Sequence, residues 1–290
     1  MTEKQIIVLY HGDCPDGFGA AFAAWKKFKD AAEYVALSRS DTPPLELVKN
    51  KEVYLLDFTF NRQEDIDALI EASKSLTILD HHEGVAEQTK SVENHVYDVN
   101  RSGAGIAWDY FHDNAPRPKL INHLEDDDLF RFTLTDTRAV LAYLGLSPFS
   151  FEEWNEVMET LEDSERSIPF LEKAHIYGDC FQKLAELSVK KAKFVEFEGH
   201  TVPFATAHPY KPIKSLVGNL LAKQYPPFAI VVTAHPLGYG VSMRGDGSVD
   251  LTTIAQKYGG NGHHSSVGFL IPNNAPMPWK LIEDHEDSRD

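Results

Sequence analysis

Ser75-Leu76-Thr77-Ile78-Leu79-Asp80-His81-His82 is the stretch whose reading decides the fold. Its first five residues form a largely apolar run, the pattern of a strand buried on both faces, and the run gives way to a carboxylate and two imidazoles in succession. Burying that trio without partners is expensive, so the segment calls for a ligand. Imidazole and carboxylate together suit manganese, iron, cobalt or zinc better than they suit a packed core.

The same grammar recurs upstream. Ile6-Ile7-Val8-Leu9-Tyr10 is a continuous apolar run that ends at His11, and the polar loop Gly12-Asp13-Cys14-Pro15-Asp16-Gly17 leads into residues 18–29, rich in alanine and aromatics at helical spacing. Residues 33–37 read as a second strand, Val53-Tyr54-Leu55-Leu56 as a third ending on Asp57, and the opening stretch as a fourth ending on Asp80. Helices are expected over 61–73, with Asn61 as N-cap, and over 103–112. Strands alternating with helices predict an α/β fold with a mostly parallel, doubly wound sheet. Ligands gather beyond the carboxyl ends of such strands, where His11, Asp57 and Asp80 all fall. An Asp after one strand is a common turn former. Three strands that each stop at a metal-binding residue form a pattern that turns alone do not explain.

Downstream, Leu120-Ile121-Asn122-His123-Leu124 runs as a helix into Glu125-Asp126-Asp127-Asp128, which the apolar segment 129–132 should hold against the domain. Residues 151–191 read as helical, with Trp154, Val157, Met158 and Leu161 at i, i+3, i+4, i+7 spacing. The strand signal returns at 195–197 and 202–207, with Gly199 in the turn. A helix over 213–224, a hairpin of 228–234 with 239–244, and a short helix over 251–258 follow. The tail from Asn273, Pro-rich and then acidic, is expected to be mobile. The expected division is a metal-binding domain at 1–135, a helical connector at 136–192, a smaller α/β domain at 193–272 and a tail at 273–290.

With 290 residues, 42% of them hydrophobic and 25% charged, the chain is long enough for two globular domains. A net charge of −16 and a pI near 5.2 argue against a broad basic face for long duplex nucleic acid. A short anionic substrate stays compatible, because bound divalent ions reverse the local sign of a carboxylate-rich pocket. Cys14 and Cys180 are too few for a disulfide framework or a cysteine-based zinc site, which fits a reducing cytoplasm. The first residues show neither a signal-peptide pattern nor a membrane span.

Taken together, His11-x-Asp13-x-x-Asp16-Gly17, Asp57, Asp80-His81-His82 and Glu125-Asp126-Asp127-Asp128 resemble the four ordered motifs of the DHH phosphoesterase superfamily, which includes RecJ-like and nanoRNase-like proteins. Gly259-Gly260-Asn261-Gly262-His263 with Val267-Gly268-Phe269 likewise resembles the glycine-rich motif of the accompanying DHHA1 domain. The resemblance implies two divalent ions in the N-terminal domain, manganese first, with magnesium, cobalt or iron as alternatives, bridged by a carboxylate and a water or hydroxide. It implies His11, Asp13, Asp16, Asp57, Asp80, His81 and Asp126 as metal ligands, Asp57 being the candidate bridge and Asp128 a supporting residue. Related sequences often place the first-motif acids two apart, whereas Cys14-Pro15 separates Asp13 from Asp16 here. Asp16 is therefore the preferred ligand, and Asp13 alternatively stabilises the turn.

His81 and His82 are the catalytic candidates. Consecutive side chains of an extended chain diverge, so one imidazole is expected to bind metal or polarise the phosphate and the other to be a hydrogen-bonding support. Ser102-Gly103-Ala104-Gly105 either offers backbone N–H groups to a phosphate or is an ordinary N-cap at Ser102. Gly260 and Gly262 are expected to admit backbone close to the substrate. His263 or His264, with Arg244 through its fork of donors, would bind its phosphate, a surface ion pair being the alternative for Arg244. The expected function is two-metal hydrolysis of a phosphate ester in a small nucleotide-type substrate: a short single-stranded oligonucleotide, a dinucleotide or a nucleotide bisphosphate. Hydrolysis of pyrophosphate or polyphosphate, and a non-catalytic nucleotide-binding module, are the alternatives.

Overall fold

Alternating burial along the first strands shapes the N-terminal half. Ile7, Leu9, Val53, Leu55, Leu76 and Ile78 point into one buried cluster, while Val8, Tyr54, Leu56 and Leu79 point into another. That period of two gives the sheet two apolar faces, each of which must be covered. The computed structural model describes residues 4–12, 14–38, 41–113 and 115–282; at Lys211, Asn261 and His263 it describes the backbone alone. The chain divides into two compact units, Met1–Gly178 and Asp179–Asp290.

In the first unit the elements run β1 (Ile6–His11), α1 (Pro15–Phe28), β2 (Ala32–Leu37), α2 (Leu45–Val48), β3 (Glu52–Leu56), α3 (Gln63–Ala72), β4 (Ser75–Asp80), α4 (Ala86–Lys90), β5 (Asn94–Tyr97), α5 (Gly103–Phe111), α6 (Lys119–Asp128), α7 (Thr137–Leu146) and α8 (Phe151–Glu162). The sheet is wholly parallel, in the order β2-β1-β3-β4-β5. Ile66 and Leu69 of α3 cover one face. Phe18 and Phe22 of α1, Ala104 and Ala107 of α5, and Trp154, Val157, Met158 and Leu161 of α8 belong to the core on the other. Each fully buried large apolar side chain contributes about 1.5–3 kcal/mol, enough to fix the strand ends from which the polar loops emerge.

Two local expectations change. Helix α3 begins at Gln63 with Arg62 at its N-cap, so Asn61 does not cap it; Arg62 instead grips Asp65 with two hydrogen bonds of 2.9 and 2.6 Å. Strand β5 escaped the sequence pattern because only four residues form it and Asn94 and His95 are exposed.

Helix α9 (Ser167–Val189) spans the division between the units. The second unit contains β6 (Lys193–Phe197), β7 (His200–Thr206), α10 (Lys211–Gln224), β8 (Phe228–His235), β9 (Gly238–Gly245), α11 (Leu251–Lys257), β10 (Asn261–His263), β11 (Ser266–Pro272) and β12 (Lys280–Ile282). Its mixed sheet has the order β10-β11-β9-β8-β7-β6-β12, with β7 and β8 parallel and α10 connecting them. Val217 and Leu221 of α10 pack with Ala229 and Val231, while Leu251 and Ile254 of α11 pack with Ile230 and Met243. The expected mobile tail is ordered as far as Ile282, because Trp279 is buried against Phe197 and β12 pairs with β6; residues 283–290 lie outside the described ones. Among the described residues no helix is long and apolar enough to cross a membrane.

Candidate metal centre

The order β2-β1-β3 places a topological switch between β1 and β3, because β1 connects outward to one side and β3 to the other. Open parallel sheets bind ligands at the carboxyl ends of the strands flanking such a switch. His11 ends β1, Asp57 is the first residue after β3, and Asp80 ends β4. Asp57 takes φ 62°, a left-handed conformation uncommon outside glycine, while its N–H donates to the Leu79 carbonyl at 2.9 Å. Neighbouring structure must hold it there.

The Asp57 side chain is buried, with Oδ2 3.4 Å from His11 Nδ1 and Oδ1 3.2 Å from His81 Nε2. All four atoms are buried, and none makes a properly aligned hydrogen bond. His81 Nε2 also lies 3.5 Å from Asp128 Oδ2 and 3.9 Å from Asp16 Oδ2. Three carboxylates thus converge on one imidazole nitrogen.

These contacts set the charge states of the metal-free site. Burial opposes ionisation of Asp57, but His11, His81 and His82 hold its carboxyl well below the usual range. Burial lowers the His11 pKa, yet Asp57 and Cys14 outweigh that and push it up to about 10. The same opposition, with Asp57 and Asp128 as the acidic partners, brings His81 up to about 9. Asp16 moves the other way: burial, then the charges of Asp57 and Asp128, push its carboxyl well above the ordinary value. Protonating the basic and acidic groups relieves the crowding in part; a divalent cation relieves it more completely.

Among the described residues, three groups of side chains each bring their candidate ligand atoms within 4.8 Å of one another: His11, Cys14 and Asp57; Asp57, His81 and His82; and Asp16, His81 and Asp128. Asp57 and His81 are each shared between two of them. The misaligned buried atoms at His11, Asp57 and His81, together with a nitrogen- and oxygen-rich donor set, fit divalent metal.

Two glycines allow this closeness. A Cβ at Gly17 would stand 2.2 Å from the His11 carbonyl oxygen, and one at Gly103 would stand 2.5 Å from both Cβ and Oδ1 of Asp57. The first turn of α5 then turns inward: Gly103 and Ala104 donate their N–H groups to Asp16 at 2.6 and 3.0 Å, and Ser102 Oγ accepts the Gly105 N–H at 3.1 Å. Ser102 is therefore the N-cap, and the anion at this helix terminus is the protein's own Asp16.

Asp80 and the histidines depart from the extended-chain expectation. Asp80 Oδ1 accepts the N–H groups of His81 and His82 at 2.7 and 3.2 Å and contacts His82 Nδ1 at 2.8 Å, while Oδ2 accepts the Thr59 hydroxyl at 2.7 Å. This turn curls the backbone, so side-chain alternation stops at Asp80 and both imidazoles reach Asp57. The Asp80 carboxylate is committed to orienting His82.

Asp126 is likewise committed elsewhere. It accepts hydrogen bonds from Thr133 N–H at 2.8 Å, Thr133 Oγ1 at 2.7 Å, Leu134 N–H at 3.2 Å and Thr137 Oγ1 at 2.5 Å. Asp128, two residues on and so about 200° around the helix, is the acid that faces His81. An unbroken acidic run does not tell these faces apart without the helix phase. Cys14 also escaped the sequence reading, which used cysteine count alone. Asp13 lies outside the described residues.

In the second unit, Arg244 of β9 donates to the Met243 carbonyl at 2.9 Å and Ser215 Oγ at 2.8 Å, both neutral, and burial lowers its pKa to about 10. The glycines serve the sheet: a Cβ at Gly260 would lie 2.3 Å from the Gly268 oxygen, and one at Gly262 would lie 2.3 Å from the Ser266 oxygen. His264 is exposed, with Nε2 3.1 Å from the Gly247 carbonyl and Nδ1 3.5 Å from Asp250. The His263 side chain lies outside the described ones.

No family model matches the chain. An uncharacterised protein of Acanthamoeba polyphaga mimivirus is 26% identical over an alignment covering 96% of this chain and 70% of that protein. The chain is also similar to a solved DHH domain from a member of a family of ribosomal proteins, at 14% identity and TM-score 0.57, covering 96% of this chain and 83% of that one. An exopolyphosphatase-related protein from Bacteroides fragilis gives 13% and 0.54, with 95% and 88% covered. A pGpG-specific phosphodiesterase from Vibrio cholerae gives 14% and 0.51, with 93% and 94% covered. The chain thus shares its two-domain α/β fold with the solved DHH-domain protein and with the exopolyphosphatase-related and phosphodiesterase structures.

Proposed function

We propose that the protein is a divalent-metal-dependent phosphoesterase acting on a small nucleotide-type substrate. The observation that carries this reading is the Asp57 carboxylate, buried at the switch point with its two oxygens facing His11 and His81 without aligned hydrogen bonds. The two phosphodiester- and polyphosphate-related proteins of like fold support the class of reaction. His11 and Asp57 would hold one cation and Asp16, His81 and Asp128 a second, with Asp57 shared. When bound, the pair would supply a nucleophile at neutral pH and neutralise charge on the phosphoryl group.

The chain's own residues do the rest. Asp80 fixes the His82 ring through Nδ1, and His82 would exchange a proton with substrate through Nε2. The N–H groups of Gly103 and Ala104 keep Asp16 in place. Arg244, a guanidinium among neutral partners, suits a terminal phosphate.

Incubation with Mn²⁺ and a panel of linear dinucleotides, short oligonucleotides, nucleotide bisphosphates, pyrophosphate and polyphosphate, with products identified, tests the proposal. Turnover of a nucleotide ester is expected. Cleavage of pyrophosphate or polyphosphate alone would move the assignment to the inorganic substrates, and binding without turnover would make the protein a nucleotide-binding module.

A further inference from the structure

We propose that Cys14 supplies a sulfur ligand, with His11 and Asp57, so that the cation position at the end of β1 is a mixed nitrogen, oxygen and sulfur site suited to a thiophilic ion such as zinc or cobalt. The inference rests on the metal-site reading above and adds to it that the two cation positions differ in softness.

Cys14 is buried, and the candidate ligand atoms of His11, Cys14 and Asp57 all lie within 4.8 Å of one another. Asp57, itself 1% exposed on its side chain, aims Oδ2 into this cluster, 3.4 Å from His11 Nδ1 and without an aligned hydrogen bond, while its Oδ1 faces His81. Cys14 occupies the N-cap of the 14-residue helix α1 with extended backbone, φ −131° and ψ 128°, but its side chain does not cap the helix. The partial positive charge of that helix end complements an anionic sulfur. The neighbouring group, Asp16, His81 and Asp128, has oxygen donors around a single imidazole. Thiolate and imidazole select zinc and related ions, whereas carboxylate-rich sites suit manganese and magnesium. The same molecule therefore offers one softer and one harder position, and mixed occupancy follows. On binding, the sulfur–metal bond forms as the thiol proton leaves to solvent.

Cobalt reports sulfur ligation directly. In a Cys180→Ser background, which removes the exposed thiol, metal-free protein titrated with Co²⁺ should show a near-ultraviolet thiolate-to-cobalt charge-transfer band beside the weaker visible bands. Adding Cys14→Ser should abolish the charge-transfer band while cobalt stays bound. The same change should cut the preference for zinc over manganese on the order of tenfold, read as metal content after gel filtration from a mixture of the two ions. Bound cobalt with visible bands but no charge-transfer band in the Cys180→Ser protein would overturn the sulfur ligand and leave the metal site intact. Failure to bind cobalt, zinc or manganese at all would overturn both.

Discussion

Gly103 and Asp57 are so close that a side chain on the first would overlap the second: an added Cβ would lie 2.5 Å from Asp57 Oδ1. Two effects compete at this position. Helix propensity favours alanine over glycine by about 1 kcal/mol, whereas the overlap forces the carboxylate or the first turn of α5 to move. Gly103→Ala should leave the protein folded, with little change in thermal midpoint, but lower manganese affinity about tenfold or more. Metal titration beside a melting curve separates the two effects, and unchanged affinity would show that Asp57 does not need its present position.

Asp80 and Asp57 should respond differently to removal of their charge. Asp57→Asn takes a carboxylate from between His11 and His81 and should lose both bound metal and hydrolysis. Asp80→Asn keeps the turn but disturbs the contact with His82 Nδ1, so metal content should persist while kcat falls about 10²- to 10⁴-fold, the range expected when a proton-transfer histidine loses its orienting acid. Loss of metal by Asp80→Asn would return Asp80 to the ligand set.

Asp126 ties the end of α6 to the residues that follow. Its carboxylate gathers Thr133, Leu134 and Thr137, and its carbonyl accepts the N–H groups of Arg131 and Phe132 at 2.9 and 3.3 Å; Phe130 and Phe132 in this turn both have positive φ. Burial raises the carboxyl pKa, but the donors outweigh it and hold it below the usual value. Its stabilisation is therefore complete above the unfolded value near 3.9 and lost as pH falls through the lower folded value. Asp126→Asn should cost about 1–3 kcal/mol at neutral pH, and its stability curve should converge on that of the natural protein in acid. A gap that stays constant between about pH 5 and pH 2 would remove Asp126 from the acid response.

Much of this organisation is legible in the sequence because strand ends are one-dimensional events. Ile6-Ile7-Val8-Leu9-Tyr10 and Ser75-Leu76-Thr77-Ile78-Leu79 mark where β1 and β4 run, and the polar residue that stops each run, His11 or Asp80, belongs to the cluster of site side chains. What depends on rotation or on long-range pairing is less legible. Asp126 and Asp128 are separated only by their angle around α6, and His82 is turned by a hydrogen bond to the Asp80 side chain that the residue order does not disclose. Gly260 and Gly262 show the same limit: the motif locates them, but the need for glycine comes from β11, whose backbone presses against both.

Metal and protons should compete for the centre. In the metal-free protein His11 and His81 titrate near 10 and 9, so both are imidazolium at neutral pH, paired with Asp57. Folded values raised above the unfolded value near 6.5 mean that this stabilisation is fully present below about pH 6.5 and is lost as pH rises through the folded values. The metal-free protein should therefore melt at progressively lower temperature from about pH 6.5 to pH 10. Cation ligation needs neutral imidazole, so binding must expel these protons, and apparent manganese affinity should rise over the same interval. Calorimetric titrations at neutral pH in buffers of different ionisation enthalpy would count the protons released. Release of at least two per protein, from His11 and His81, is expected as the centre fills, with more wherever the Cys14 thiol or the Asp16 carboxyl also gives up its proton, and binding without proton release would mean that His11 and His81 do not ligate the metal.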